Sequence, residues 1–97
     1  MKTKKGGILT LLLVFIVHLS FAQQKTISGT VTDQDGLPLP GVNILVKGTK
    51  TGTQTGFDGE YTISGNVGQV LIYTYLGQKE TTRTIDSKNS INVQMEE

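Results

Sequence analysis

The 97-residue sequence contains no cysteine and no tryptophan, a single histidine and two prolines. Without cysteine there is no disulfide to brace a small exported fold, no thiol nucleophile and no attachment point for a thioether-linked lipid. The one histidine, His18, lies in the N-terminal apolar stretch. The rest of the chain therefore has no imidazole for a Ser-His pair or for an ordinary zinc site. Neither charge sign dominates: nine Lys and Arg stand against eight Asp and Glu, a formal charge of +1. No window after the N-terminal stretch shows an apolar stripe at helical spacing.

The single long apolar run sits at the N-terminus. Lys2, Lys4 and Lys5 precede the ten residues Ile8 to Val17, and Ser20-Phe21-Ala22 follows with small residues at two alternate positions. This is the order of a secretory signal peptide, with cleavage expected between Ala22 and Gln23. A membrane anchor needs roughly 20 apolar residues, and His18 and Ser20 interrupt this run too early. Removing 22 of the 97 residues leaves 75, with six cations against eight acids, so the charge moves from +1 to −2. The basic balance belongs to the leader, and no basic patch is expected that would point to nucleic acid or anionic lipid. The domain division is 1–22 for the signal peptide and 23–97 for one small domain.

The remaining chain reads as short strands separated by turn signals. Residues 26–32 alternate, with Ile27 and Val31 on one face and Gly29 between them. A glycine there marks either a bulge or the close approach of another strand. Asp33-Gln34-Asp35-Gly36 is turn chemistry, and Leu37-Pro38-Leu39-Pro40 is held extended because each residue before a proline is pushed out of the helical region. Val42, Ile44 and Val46 alternate in the next strand. Residues 51–55 form a polar, β-prone strand, Phe57-Asp58-Gly59 is a hairpin signal, and Tyr61 and Ile63 point inward from the strand that follows. Gly65 to Gly68 is a loop. Residues 69–76 are apolar on both faces and form a central strand. Residues 79–85 and 91–95 supply two more strands.

Seven short strands predict an all-β, two-sheet antiparallel β-sandwich. Its expected core is Ile27, Val31, Val42, Ile44, Val46, Tyr61, Ile63, Leu71, Tyr73, Ile85 and Val93, with Met95 at its margin. The polar, Thr-rich strands at 51–55 and 81–84 are the expected sheet edges, where unpaired backbone groups can accept another chain.

Reactive chemistry is sparse. Ser28, Ser64, Ser87 and Ser90 have no His or Cys partner, and Lys88 beside Ser87 lies in a polar loop where an ammonium stays charged. Asp33-x-Asp35-Gly36 resembles the start of a calcium loop, but Leu37-Pro38-Leu39-Pro40 follows in place of further ligands, so an Asx-type turn is the better reading. Asp58-Gly59-Glu60 is read the same way. Tyr73 and Tyr75 share a strand face and are expected in the core with a bonded hydroxyl, against the rival of a sugar-stacking platform. No catalytic residue, cofactor or metal ligand is assigned.

Several runs together carry a family resemblance. Ile27-Ser28-Gly29-Thr30-Val31-Thr32-Asp33, Gly36-Leu37-Pro38-Leu39-Pro40-Gly41-Val42-Asn43-Ile44, Val46-Lys47-Gly48-Thr49 and Asp58-Gly59-Glu60-Tyr61-Thr62-Ile63 resemble the carboxypeptidase-regulatory-like domain. In particular they resemble the copy at the N-terminus of SusC/RagA-type TonB-linked outer-membrane receptors of Bacteroidetes. The resemblance implies a seven-stranded, transthyretin-like sandwich of Greek-key type. It implies a periplasmic place ahead of a plug and a barrel that import glycans or other nutrients. It also implies protein partners (plug and barrel, TonB machinery or a surface lipoprotein) met through an edge strand, with no nucleic acid. Two positions depart from the family pattern: Thr55-Gly56 replaces Thr-Asp before the Asp-Gly turn, and Gln78 replaces an aromatic after Leu76-Gly77. A transmembrane barrel needs at least 8 strands of about 9–11 residues each, so transport is not expected of these residues alone. The chain is expected to be an isolated module or a receptor truncated before its plug, the alternative being a free-standing carbohydrate-binding or adhesion module.

Overall fold

A computed structural model describes residues 24–97. The expected signal peptide and its cleavage point lie outside the described residues. Seven strands are present among those described: β1 (Lys25–Thr32), β2 (Asn43–Val46), β3 (Gly52–Gln54), β4 (Glu60–Gly65), β5 (Val70–Thr74), β6 (Thr81–Thr84) and β7 (Val93–Gln94). They form a three-stranded sheet in the order β4-β1-β7 and a four-stranded sheet in the order β3-β2-β5-β6. The two sheets enclose one apolar cluster, the architecture that alternating short strands favour.

The cluster consists of the twelve residues that alternation assigned to it, Met95 included. In β2 and β4 the buried residues recur at every second position, the signature of a sheet with one dry face. β5 has Leu71 and Tyr73 fully buried and Val70, Ile72 and Thr74 half-buried on its other face. It lies between β2 and β6, as its two-sided apolar character requires. β3 and β6 are the edges of that sheet.

Four details differ from the sequence reading. First, Phe57-Asp58-Gly59 is a turn but not a hairpin, because the strands on either side pair in different sheets. The Gly56 N–H bonds the Glu60 carbonyl at 2.8 Å and the Gly59 N–H bonds the Gly56 carbonyl at 2.9 Å. An Asp-Gly signal specifies the local reversal and is blind to the partner of the next strand. Second, Gly65 belongs to β4, where it pairs with Lys25. A Cβ at Gly65 would lie 2.6 Å from Ile85 Cδ1, so its bareness serves packing rather than a loop. Third, Thr55 is buried rather than wet. Fourth, one pairing is parallel: β7 runs beside β1 with Val31 opposite Val93 and Thr32 opposite Gln94. Parallel pairing depends on how a distant segment returns, which local alternation does not encode.

The β1–β7 seam resolves the two readings of Gly29 in favour of close approach. A Cβ there would lie 1.8 Å from the Ile91 carbonyl oxygen. That carbonyl is turned inward and accepts from Tyr61 Oη at 2.6 Å. In a regular parallel ladder the Thr30 N–H would bond the Ile91 carbonyl. Here Asn92 Oδ1 takes that N–H instead, at 3.0 Å. The ladder holds on either side, with Ser28 N–H to the Asn89 carbonyl, Ile91 N–H to the Ser28 carbonyl, and Met95 N–H to the Thr32 carbonyl. The predicted strand over 91–95 is therefore shortened to β7 by a side chain standing in for one main-chain acceptor.

Candidate functional site

Pairing registers gather the loops at two opposite ends. β1 and β7 run toward the same end, where β4 begins, since Thr30 faces Glu60 and Lys25 faces Gly65. β2 begins where β5 ends and β6 begins, since Asn43 faces Thr74 and Tyr73 faces Thr81. The Leu39 N–H bonds the Val31 carbonyl, the Gly41 N–H bonds the Thr55 carbonyl and the Lys79 N–H bonds the Glu96 carbonyl, so these groups of strand ends coincide. Loops 33–42, 55–59 and 75–80 and the last residues, 95–97, thus share one end.

The Pro-rich run is the middle of this loop cluster. Pro40 precedes Gly41, whose φ is 82°, the pattern of a type II turn with proline second and glycine third. The Thr55 hydroxyl occupies the mouth of that turn. It donates to the Leu39 carbonyl at 2.5 Å and accepts the Val42 N–H at 2.9 Å. One buried hydroxyl thereby satisfies two main-chain groups that burial would otherwise strand. On one flank Gly59, with φ 76°, lies so close that a Cβ would sit 3.0 Å from Pro38 Cβ and 2.7 Å from the Val31 carbonyl oxygen. On the other flank the Tyr75 ring is the nearest neighbour of Gly41.

The tips of these loops are apolar and exposed. Phe57 is 91% exposed, Leu76 96% and Leu37 61%. The surrounding charge is acidic: seven of the eight acids of the chain, all but Asp86, lie at this end, with Lys79 among them. The opposite end carries Lys25, Lys47, Lys50 and Lys88 with Asp86, and Arg83 lies in the half of β6 nearer to it. The charge of −2 summed over residues 23–97 therefore conceals a separation along the strands. Lys25 at the start of β1, Lys47 and Lys50 between β2 and β3, and Lys88 after β6 are scattered in sequence and share an end only through the fold.

The other candidates take structural roles. Asp33 Oδ1 accepts the N–H groups of Asp35 and Leu37, each at 2.9 Å, an Asx turn in which the carboxylate is already bonded. No group of three His, Cys, Asp or Glu is placed to hold a metal ion among the described residues. Ser87 and Lys88 are exposed. The Lys88 N–H bonds Asp86 Oδ1 at 2.9 Å, and Lys25 Nζ donates to the carbonyls of Asp86 and Lys88.

Tyr73 is fully buried and Tyr75 half-buried. Tyr73 meets Tyr61 edge to face, with ring centroids 5.7 Å apart and hydroxyls 2.7 Å apart. Burial pushes both phenols above the ordinary value; for Tyr73 the hydrogen bond to Tyr61 adds to the rise, and for Tyr61 the bond to Tyr73 offsets part of it. Tyr61 and Tyr73 belong to the core, and neither forms an open sugar platform.

At the β6 edge a shallow depression of about 320 Å³ lies between that strand and the chain end, lined by Thr82, Arg83, Gln94 and Glu96 among others. The feature that sequence reading misses is the gathering of these loops at one end. Phe57 and Leu76 look like ordinary turn neighbours, and only the crossing between sheets brings their loops to one place.

Among known proteins, residues 27–97 match the CarboxypepD_reg-like domain family. The chain is 40% identical over 90 residues to TonB-dependent receptor P39 of Formosa agariphila, covering 84% of this chain and 9% of that protein. It is 41% identical over 80 residues to TonB-dependent receptor SusC of Bacteroides thetaiotaomicron, covering 76% of this chain and 8% of that protein. TonB-dependent receptor P3 of Formosa agariphila is 40% identical over 89 residues, covering 90% and 9%. The chain thus spans less than a tenth of the length of these relatives.

Proposed function

Since the chain belongs to the CarboxypepD_reg-like domain family, we propose that it is a non-enzymatic periplasmic module of a TonB-dependent outer-membrane receptor system for nutrient uptake. It is exported by the signal peptide at residues 1–22 and acts by docking to receptor components. The observation that carries this reading is identity of about 40% to TonB-dependent receptors across nearly the whole domain. The chemistry of the fold agrees with it. The buried hydroxyls of Thr55, Tyr61 and Tyr73 hold the sandwich together. What remains for function is surface, including the edge strands β3 and β6, which can accept another chain by main-chain pairing.

The test expresses the full chain, epitope-tagged, in a Bacteroidetes host. Mass spectrometry should give Gln23 as the first residue, and the processed protein should fractionate with outer membranes and co-purify with a TonB-dependent receptor. Recovery as a free periplasmic protein that binds a glycan array would overturn the docking role and establish the free carbohydrate-binding module instead.

A further inference from the structure

Resting on that docking role, we propose that the docking face is the loop end formed by 33–42, 55–59 and 75–80. Its partner is a protein surface with an apolar depression bordered by Lys and Arg. Three observations lead there. Phe57, Leu76 and Leu37 are large apolar side chains left in water on three separate loops, and those loops are brought together by contacts around Pro38 to Gly41. The backbone beneath them is fixed: Gly59 is wedged against Val31 and Pro38, and the Thr55 hydroxyl locks the Leu39–Val42 turn. Preformed tips lose little entropy on binding, which favours a recognition surface. Finally, the same end carries seven acids, among them Asp58 and Glu80, which are exposed and make no side-chain hydrogen bond among the described residues.

The acidic charge of this end selects the partner. Insertion of Phe57 and Leu76 into a bilayer would bring the seven acids of this end toward anionic headgroups, which repel them. A basic protein surface complements that charge and leaves the apolar tips to be desolvated, in keeping with the usual division of interfaces into apolar core and polar rim. A second copy could offer its lysine end with Val67, but a head-to-tail contact of that kind leaves a further loop end free and continues into a ring or a filament. A discrete docked pair needs a different protein as partner.

The experiment places a photo-crosslinking amino acid in the tagged full chain in cells, at Phe57, at Leu76, at Val67 on the opposite end and at Thr82 on the β6 edge. Positions 57 and 76 should yield one shared protein adduct that Val67 and Thr82 do not. The attachment peptide mapped by mass spectrometry should carry Lys or Arg. Asp58→Lys with Glu80→Lys should cut the adduct about fivefold or more, the scale of rim charge pairs, and reversing the mapped Lys or Arg to Glu in the partner should restore it. Adducts only from Thr82 would overturn the loop end while leaving the docking role standing. Adducts to lipid or to a second copy, or yields indifferent to charge reversal, would also overturn it. The absence of any adduct at all four positions, with the chain found free in the periplasm, would remove the docking role itself.

Discussion

Gly29→Ala is the sharpest probe of the seam that closes the three-stranded sheet. The added Cβ would meet the Ile91 carbonyl oxygen at 1.8 Å and its carbon at 2.7 Å. Both are backbone atoms, so no side-chain rotation relieves the clash. To reach even 3.0 Å the carbonyl must retreat by 1.2 Å. Its bond from Tyr61 Oη, now 2.6 Å, and the neighbouring bonds between 28–30 and 89–92 share that displacement. Losing two or three hydrogen bonds costs about 1–4 kcal/mol, and overpacking adds about 1–3 kcal/mol. A loss of about 3–5 kcal/mol is expected in a domain whose whole stability is roughly 4–11 kcal/mol, at about 0.05–0.15 kcal/mol per residue. Urea denaturation followed by far-UV circular dichroism should show a midpoint lower by about 2 M or more, given a slope of about 1–1.5 kcal/mol per M for so small a domain, or no folded baseline at all. Gly56→Ala is the control, since its nearest neighbour would be the Glu60 carbonyl oxygen at 3.8 Å. An unshifted or raised midpoint for Gly29→Ala would refute the close-approach argument. It would mean that the reduced freedom of the unfolded chain, about 0.4–1 kcal/mol in favour of Ala, is the only effect.

Three further outcomes follow from the same geometry. Thr55→Val keeps shape but leaves the Val42 N–H and the Leu39 carbonyl without their partner, and should lower stability by about 2–4 kcal/mol in urea melts, at about 1–3 kcal/mol per stranded group. The tyrosine pair sets an alkaline limit: both phenols are raised in the folded state, so above pH 10 the unfolded chain releases protons that the folded chain retains, and stability falls as pH rises. Tyr73→Phe should flatten that fall between about pH 10 and 12 while lowering the plateau below it, as read from melting temperatures across the range. Asp33→Ala should cost about 1–2 kcal/mol through its two N–H bonds, whereas adding calcium or a chelator should leave the melting temperature of the unsubstituted protein unmoved; a calcium-dependent rise would revive a metal role for Asp33 and Asp35.

Alternation by itself determined which residues are buried. Ile27, Val31, Ile44, Ile63 and Val93 face inward because successive side chains of a strand point to opposite faces, and the apolar set is confined to one of them. The sandwich, the central place of β5, the polar edges β3 and β6, and the family all follow from that pattern and from the Pro-Leu-Pro-Gly-Val run. These are properties of neighbours within about ten residues, which is the range over which sequence dictates conformation directly.

Tertiary structure alone decided everything that depends on where distant segments meet. The turn at 57–59 passes between sheets because Glu60 finds Thr30 of β1 rather than a residue of β3. β7 is parallel and interrupted because Asn92 and Tyr61 divide between them what one ladder rung would have shared. Thr55 is buried because the Leu39–Val42 turn closes over its hydroxyl. The charge separation and the cluster of Phe57, Leu76 and Leu37 have the same origin. Their positions in sequence are unremarkable, and they become one surface only when loops 33–42, 55–59 and 75–80 are stacked at one end by hydrogen bonds between residues far apart in the chain. Local periodicity encodes which face of a strand is dry; the partner of each strand, and hence the surface its loops build, is settled by long-range pairing.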